Sequence, residues 1–423
     1  MSTFQVAVVD AFATSFRYTD TFSAIGGEVI QIRSRVAPLP GIAPVDTSRF
    51  SHTLVNDGDF EDLAERLAVL KPRAVLPGRE SGVELADALS ERLGLPTNGT
   101  ELSAARRDKY TQIERIRSLG IPAMRQIRTS DEAELHAWHA LCGGTIVVKP
   151  LRSGAGEGVR FCDRPEEAVA ALEAVRGRTS VLGETIAEVV AQEYLVGAEY
   201  IVNTASCDGV HQVTDVWSTD RISANGIRDM VVAQILLDSD DPVVGELVPF
   251  AHKVLDALGI RYGAAHVEIK LTPEGPRLVE AAARASGLPY YVADVIGEGQ
   301  LEWAADAYVR PERFMARAGT AYRRRSAFAW AALVSPVAGR LTRYRALDEI
   351  RALDSFDDLN LIVKPGDPIV PTTWDLEYPA TLTLRHSVED ILRRDLNTVR
   401  YLDGAGMYEV DTNGYPGRST GAM

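Results

Sequence analysis

Short apolar runs alternate with amphipathic stretches over the first hundred residues. Gln5 to Asp10 (Gln-Val-Ala-Val-Val-Asp) reads as a buried strand, and Glu28 to Arg33 as a second, after a polar helical stretch and Gly26-Gly27. Asp59 to Leu70 has apolar residues at helical spacing, Ala74 to Pro77 is a short strand, and Gly82 to Leu93 is another helix. Strands alternating with helices predict an α/β domain, a parallel sheet covered on both faces, ending near residue 100. No Gly-x-Gly-x-x-Gly follows its first strand, which excludes an ordinary dinucleotide site.

The pattern then changes. Arg106 to Gly120 reads as a helix opened by Asp108-Lys109 and stopped at Gly120-Ile-Pro122. A strand follows at Ala123 to Arg128, then a helix from Thr129, where Thr129-Ser-Asp-Glu132 has the form of a capping box. From Thr145 to about Ala283 the chain is strand-rich, with Gly and Asp turns. A block from about Arg325 to Asp403 mixes strands, at Gly366-Asp-Pro-Ile-Val and Ala380-Thr-Leu-Thr-Leu, with one helix, Ser387 to Arg394. Domains are therefore expected over 1–100, 101–320 and 321–412, with a Gly/Ser/Pro-rich disordered tail over 413–423.

A chain of 423 residues, 46% of them hydrophobic, supports two or three cores of this kind. Its net charge of −14 opposes binding to nucleic acid or to anionic membranes, so an anionic substrate would need a local basic cluster or a metal. Cys142, Cys162 and Cys207 are too few and too scattered for a disulfide framework or a zinc site. Met1-Ser-Thr-Phe-Gln runs into the first strand without a signal peptide, and no apolar run reaches the ~18 residues of a membrane span. A soluble, cytoplasmic protein is expected.

Chemistry concentrates in the run from Ala264 to Arg284. Two strands flank Pro273-Glu274-Gly275, which suits a three-residue hairpin loop with Gly where φ is positive. Pairing Thr272 with Pro276 brings Glu268 opposite Glu280. Opposed residues have Cβ atoms roughly 4.5–5.5 Å apart, and like charges so placed are destabilising unless a cation lies between them. Two carboxylates with room for water and phosphate oxygens suit Mg²⁺. A solvated face with two unrelated acids is the alternative, and the apolar flanks Val267, Ile269, Leu278 and Ala281 to Ala283 argue against it.

Three further signals precede this hairpin. Ile146-Val-Val-Lys149 is a strand that delivers a lysine, followed by Ser153-Gly154-Ala-Gly156-Glu-Gly158. Glycines let backbone N–H groups approach phosphate oxygens, and Lys supplies a point charge. It is not a Walker A loop, and by itself it fits a flexible turn equally well. Gln192 to Glu199, through Glu193-Tyr194-Leu195, is a strand, a tight turn and a second strand. Such a linker can offer backbone groups to an adenine edge and Glu199 to ribose hydroxyls, although an ordinary polar hairpin reads the same way. Lys109 opens a helix, where a cation is unfavourable for the dipole unless an anion binds nearby; a surface lysine is the alternative.

The order Lys109, Lys149 with its glycine loop, the Gln192–Glu199 linker, then Glu268/Glu280 resembles the ATP-grasp ligases over about residues 1 to 400. The resemblance implies an ATP-grasp fold with a Rossmann-like preceding domain and a C-terminal block like that of biotin carboxylases. It also implies that Lys109 and Lys149 hold ATP phosphates, that Ser153, Gly154, Gly156 and Gly158 cover them, that Glu193 to Leu195 hold adenine, and that Glu268 and Glu280 bind Mg²⁺. Many such enzymes have Asn two residues after the second Glu; here that position is Ala282. His266-Val-Glu268-Ile-Lys270 with Glu280-Ala-Ala-Ala-Arg284 is similar to the L-amino-acid ligases of the bacilysin-synthetase type, which also lack that Asn.

That likeness implies amide formation between two amino acids, a dipeptide or a γ-glutamyl amide, through an acyl phosphate, in enzymes that are often homodimers. Arg284 would hold a carboxylate or stabilise the tetrahedral intermediate; a salt bridge to Glu268 or Glu280 is the alternative. His266 would orient substrate or act as a base, or be a satisfied core histidine. Glu80 would take a substrate ammonium, or serve as an acid at a helix N-terminus. Thr219 to Met230 reads as a mobile loop over the substrates. A bicarbonate-dependent carboxylase and a non-catalytic nucleotide binder are the competing readings.

Overall fold

The computed structural model describes residues 3–37, 46–154, 156–287 and 292–412. The chain forms two compact units, Met1–Val216 with Asp238–Arg323, and Trp217–Leu237 with Arg324–Met423. The expected disordered tail lies outside the described residues.

In the first unit β1 (Phe4–Val9), β2 (Gly27–Arg33), β3 (His52–Val55) and β4 (Val75–Pro77) form a parallel sheet in the order β3-β2-β1-β4. Val6, Val8 and Leu76 bury one face and Ala7, Val9 and Ile30 the other, which is why these strands read as continuous apolar runs. Their carboxyl ends are tied together by Asp10, which accepts from Ser34 N at 2.9 Å and from Ser81 Oγ at 2.5 Å. Gly78 follows β4 at a point of close approach, where a Cβ would lie 2.7 Å from the Asp10 carbonyl oxygen.

A second sheet has the order β5-β8-β6-β7, made of β5 (Gln126–Thr129), β6 (Ile146–Pro150), β7 (Arg160–Cys162) and β8 (Val189–Glu193). Helices Glu132–Cys142 and Pro165–Val175 pack on it around Leu135, Ile146, Leu172 and Val189. Next come β9 (Ala198–Cys207), β10 (Val210–Ala224) and β11 (Ile227–Leu236), with β10 running from the first unit into the second. Helix Pro242–Ala257 returns the chain to β12 (Gly263–Thr272) and β13 (Gly275–Ala282). In the first unit β13, β12, β9 and the start of β10 form one antiparallel face.

The second unit continues from the end of β10 through β11 to β14 (Ala327–Ala332). Beyond it lie β15 (Gly339–Tyr344), β16 (Phe356–Leu361), β17 (Pro368–Ile369), β18 (Ala380–His386) and β19 (Tyr408–Asp411). β14, β18 and β16 extend the β10–β11 hairpin, β17, β15 and β19 make a separate small sheet, and Leu333, Ile350, Leu382, Leu392 and Val399 fill the core.

Several expectations are corrected. The helix after β5 is capped by Asp131, whose Oδ1 accepts from Glu134 N at 2.9 Å; Thr129 Oγ1 instead accepts from Asp131 N. The helix expected from Arg106 begins at Lys109, behind Asp108 as N-cap. Helices Pro165–Val175 and Pro242–Ala257 interrupt the stretch read as strand-rich. The last helix runs over Glu389–Leu402, well past Arg394. The expected mobile loop at Thr219 to Met230 is the β10–β11 hairpin, turned at Asn225-Gly226 with φ of 53° and 79°. Asn-Gly is the usual pair for a turn with two positive φ angles.

The carboxylate hairpin departs from expectation in a way that cancels. Thr272 pairs with Gly275, so the loop has two residues, Pro273 and Glu274, rather than three. Val279 then bulges out between Leu278 and Glu280, and the shift restores Glu268 opposite Glu280.

Arg106, 1% exposed, ties the region after the parallel sheet to the rest of the first unit. Its Nη2 lies 2.9 Å from Asp87 Oδ2, and its Nη1 donates to the Leu258 carbonyl at 2.9 Å. Asp87→Ala leaves this guanidinium buried without its carboxylate. The expected loss is about 3–5 kcal/mol, read as a lower urea midpoint followed by circular dichroism.

Candidate active site

β6 carries Lys149 into the interior, and helix Lys109–Ser118 presents Lys109 from its first position; the two side chains are 7% and 6% exposed. Lys109 Nζ donates to the Ser153 carbonyl at 3.1 Å and pairs with Glu280 Oε1 at 3.1 Å. Burial pushes the Lys149 ammonium down, the neighbouring charge of Lys109 pushes it further, and Glu280, Glu268 and Glu199 oppose both, leaving it at about 8. These residues, far apart in sequence, thus act on one another electrostatically. Two buried lysines that repel each other make a place for a polyanion.

Glu268 and Glu280 are register partners, as expected, with side chains 30% and 26% exposed. No group of three or more metal-ligating side chains exists among the described residues. A carboxylate pair open to solvent and bordered by a phosphate-type cradle fits a hard cation that takes its remaining ligands from water and phosphate. In the loop beyond Lys149, Ser153 is buried, nothing crowds Gly154, and Gly156 and Gly158 have φ of 74° and 69°.

In the linker, Glu193 N–H and Tyr194 N–H go to the carbonyls of Arg125 and Thr145, at 3.0 and 3.1 Å. The Glu193 carboxylate is held by Arg125, with Nε at 2.7 Å. These two N–H groups and the Glu193 carboxylate are thus engaged within the protein. Glu199 is buried opposite Lys270, whose ammonium lies 4.7 Å from the Tyr194 ring centre.

Arg284 does not pair with the metal-type carboxylates. Its Nε donates to Glu80 Oε2 at 3.1 Å, and Arg107 Nη1 donates to Glu80 Oε1 at 2.9 Å. Burial pushes the Glu80 carboxyl up, but Arg107 and Arg284 outweigh it and hold it below the usual carboxylate range. Arg79 is pushed down by burial and by Arg284 beside it. Three guanidiniums lie near Glu80, Glu184 is 3.5 Å from Arg107 Nη2, and the buried Arg107 Nε has no hydrogen-bond partner. Glu80 thus orients arginines, and both its oxygens are engaged.

His266 has partners on both ring nitrogens, Asn203 Oδ1 at 2.8 Å from Nδ1 and Glu268 Oε1 at 3.2 Å from Nε2. It stands opposite Ala282 on β13 and Asn203 on β9. Asn203 Nδ2 donates in turn to Asp215 Oδ1 at 2.5 Å. The sequence reading missed Arg79, Arg107, Lys270, Asn203 and Asp215. Arg107 had a signal in the run Arg106-Arg107-Asp108-Lys109, and Lys270 in the His-x-Glu-Ile-Lys run. Asn203 and Asp215 become visible only through strand register.

Residues 143–289 match the family model of the ATP-grasp domain. The chain is 29% identical to dapdiamide A synthase of Enterobacter agglomerans over 407 residues, 93% of this chain and 95% of that protein. Its fold is similar to an L-amino acid ligase from Bacillus licheniformis, with a TM-score of 0.74 at 16% identity over 97% of this chain and 99% of that one. It is also similar to the biotin carboxylase domain of the Hydrogenobacter thermophilus 2-oxoglutarate carboxylase, with a TM-score of 0.63 at 14% identity, covering 97% and 91%. The fold is the ATP-grasp fold. No helix among the described residues is long and apolar enough to cross a membrane.

Phosphates bound beside Lys149 would favour its charged form and so raise its pKa from about 8. Above pH 8 the free protein holds this lysine largely neutral, so ATP binding should take up protons, approaching one per nucleotide near pH 9. Well below pH 8 the uptake should vanish. Titration calorimetry in buffers of different ionisation enthalpy reads this directly, and Lys149→Met should abolish it.

Proposed function

We propose that this chain, built on the ATP-grasp fold, is an ADP-forming ligase that joins the carboxylate of one amino acid to the amine of another through an acyl phosphate. The observation that carries this reading is the convergence of Lys109, Lys149, Glu268 and Glu280 beside the guanidiniums of Arg79, Arg107 and Arg284. Lys109 and Lys149 hold the ATP phosphates beneath the Ser153–Gly158 loop, Leu195 and its neighbours meet adenine, and Glu199 meets ribose. Glu268 and Glu280 would hold Mg²⁺, which when bound neutralises charge on the phosphate oxygens.

Arg284, steadied by Glu80, receives the donor carboxylate as a planar forked partner. A carboxylate oxygen attacks the γ-phosphorus; the bond to the bridging oxygen breaks, and ADP leaves with its electron pair. The amine nitrogen of the second amino acid attacks the acyl carbon; the bond to the phosphate oxygen breaks, and phosphate leaves. The products are the amide, ADP, phosphate and one proton. The protein's part is positioning and charge compensation. His266, fixed by Asn203, orients Glu268. The names of the relatives, dapdiamide A synthase and L-amino acid ligase, support this chemistry and a place in specialised metabolism.

The test is phosphate release from ATP and Mg²⁺ across single and paired amino acids. Release that needs two amino acids is expected, with ADP rather than AMP as co-product. Glu280→Gln should lower kcat by about 100-fold or more. Arg284→Lys should lower kcat/KM for the donor by about tenfold or more, because an ammonium cannot replace a forked donor. Release that requires bicarbonate and no amine would instead indicate a carboxylase.

A further inference from the structure

Arg107 is buried, its side chain 2% exposed, yet its guanidinium is only partly satisfied. Nη1 donates to Glu80 Oε1 at 2.9 Å. Nη2 lies 3.5 Å from Glu184 Oε1, at the outer limit of a hydrogen bond, and the buried Nε has no hydrogen-bond partner. Nε and Nη2 share one edge of the guanidinium, a fork that matches a carboxylate or two phosphate oxygens. A buried donor without a partner is destabilising, and a bound ligand is one way the deficit is made good.

Glu184 stands at this edge. Its side chain is 37% exposed, and its other oxygen lies 3.9 Å from Arg152 Nη1. Arg152 already grips Glu84 with both terminal nitrogens, at 3.1 and 3.0 Å, so it adds little to the hold on Glu184. Long, partly solvated ion pairs of this kind are weak.

The surroundings connect this edge to the chemistry. Glu184 closes a tight loop in which Thr179 bridges Thr185 and Gly183 N–H donates to the Ser180 carbonyl at 2.8 Å. Val181 N–H in that loop donates to both oxygens of Glu157, at 2.9 and 3.0 Å, and Glu157 lies between Gly156 and Gly158 of the glycine loop. Arg107 comes two positions before Lys109, and Arg152 falls between Lys149 and Ser153. On its other side, Arg107 reaches Arg284 through Glu80, whose second oxygen accepts from Arg284 Nε at 3.1 Å. The half-used fork thus adjoins both the lysines proposed to hold ATP and the arginine proposed to hold the donor.

We propose that the Nε–Nη2 edge of Arg107 receives the γ-phosphoryl group of ATP, and that Glu184 stands in for it in the free protein and gives way when the nucleotide binds. The inference rests on the ligase reading above. It adds a forked contact to the transferring group and an internal carboxylate that competes for it.

Calorimetry of the full chain with Mg²⁺ and either ATP or ADP, without amino acids, reads this directly, because only ATP carries the group in question. Glu184→Gln removes the competing charge at a partly exposed position and should tighten ATP about threefold to fivefold, with ADP unchanged within about twofold. Arg107→Lys keeps a charge beside Glu80 but loses the fork, and should weaken ATP about tenfold relative to ADP. Most of the gain from Glu184→Gln should vanish in the Arg107→Lys background. Equal tightening of both nucleotides by Glu184→Gln, or no change in either, would overturn the assignment. So would an Arg107→Lys protein, folded by circular dichroism, that prefers ATP over ADP as the wild type does. Binding of neither nucleotide by the wild type would overturn the ligase reading, and this assignment with it.

Discussion

The site is organised by one electrostatic constraint. Like charges are brought together on both sides of it, Glu268 against Glu280 across adjacent strands and Lys109 near Lys149 in the interior. In the free protein each pair partly relieves the other, through the contact of Lys109 with Glu280 and the attraction between Lys149 and both carboxylates. Lys149 still sits well below an ordinary lysine, first because it is buried and then because Lys109 repels it. The proposed metal–nucleotide ligand would resolve both repulsions at once, with cation on carboxylates and phosphate on lysines. The arrangement is thus poised for its ligand rather than optimised for stability.

The scaffold makes this placement possible by putting each charge on a rigid element. Glu268 and Glu280 lie on paired strands, Lys149 on a strand, and Lys109 at a capped helix start. The groups proposed to face substrate follow the same logic. Asp10 binds the ends of β1, β2 and β4 into one edge, and Glu80 locks Arg107 and Arg284 in place. Arg284 is thereby already oriented, which would lower the cost of positioning the proposed donor carboxylate.

Local chemistry was legible in the chain, and long-range neighbours were not. The carboxylate pairing was readable because a hairpin is a local object, and the sequence points to it even though the turn is one residue shorter than expected and Val279 bulges to compensate. The helix at Pro242–Ala257 was hidden by Gly245 and Pro249 inside it, although Asp241-Pro242 is a clear start signal. The β10–β11 hairpin is legible in Asn225-Gly226, within the stretch expected as a loop. The partners of His266 and Arg284 could not be read. Asn203 reaches His266 only because β9 lies beside β12 in one particular register, and Glu80 meets Arg284 across 204 positions of chain.

An acyl-phosphate route requires that a carboxylate oxygen pass to phosphate. The donor amino acid, doubly labelled with 18O in its carboxylate, would be turned over with ATP, Mg²⁺ and the amine, and the released phosphate analysed by mass spectrometry. The acyl-phosphate route predicts one 18O in phosphate for each amide formed, with the other retained in the amide carbonyl. Unlabelled phosphate, or label appearing in AMP, would contradict it.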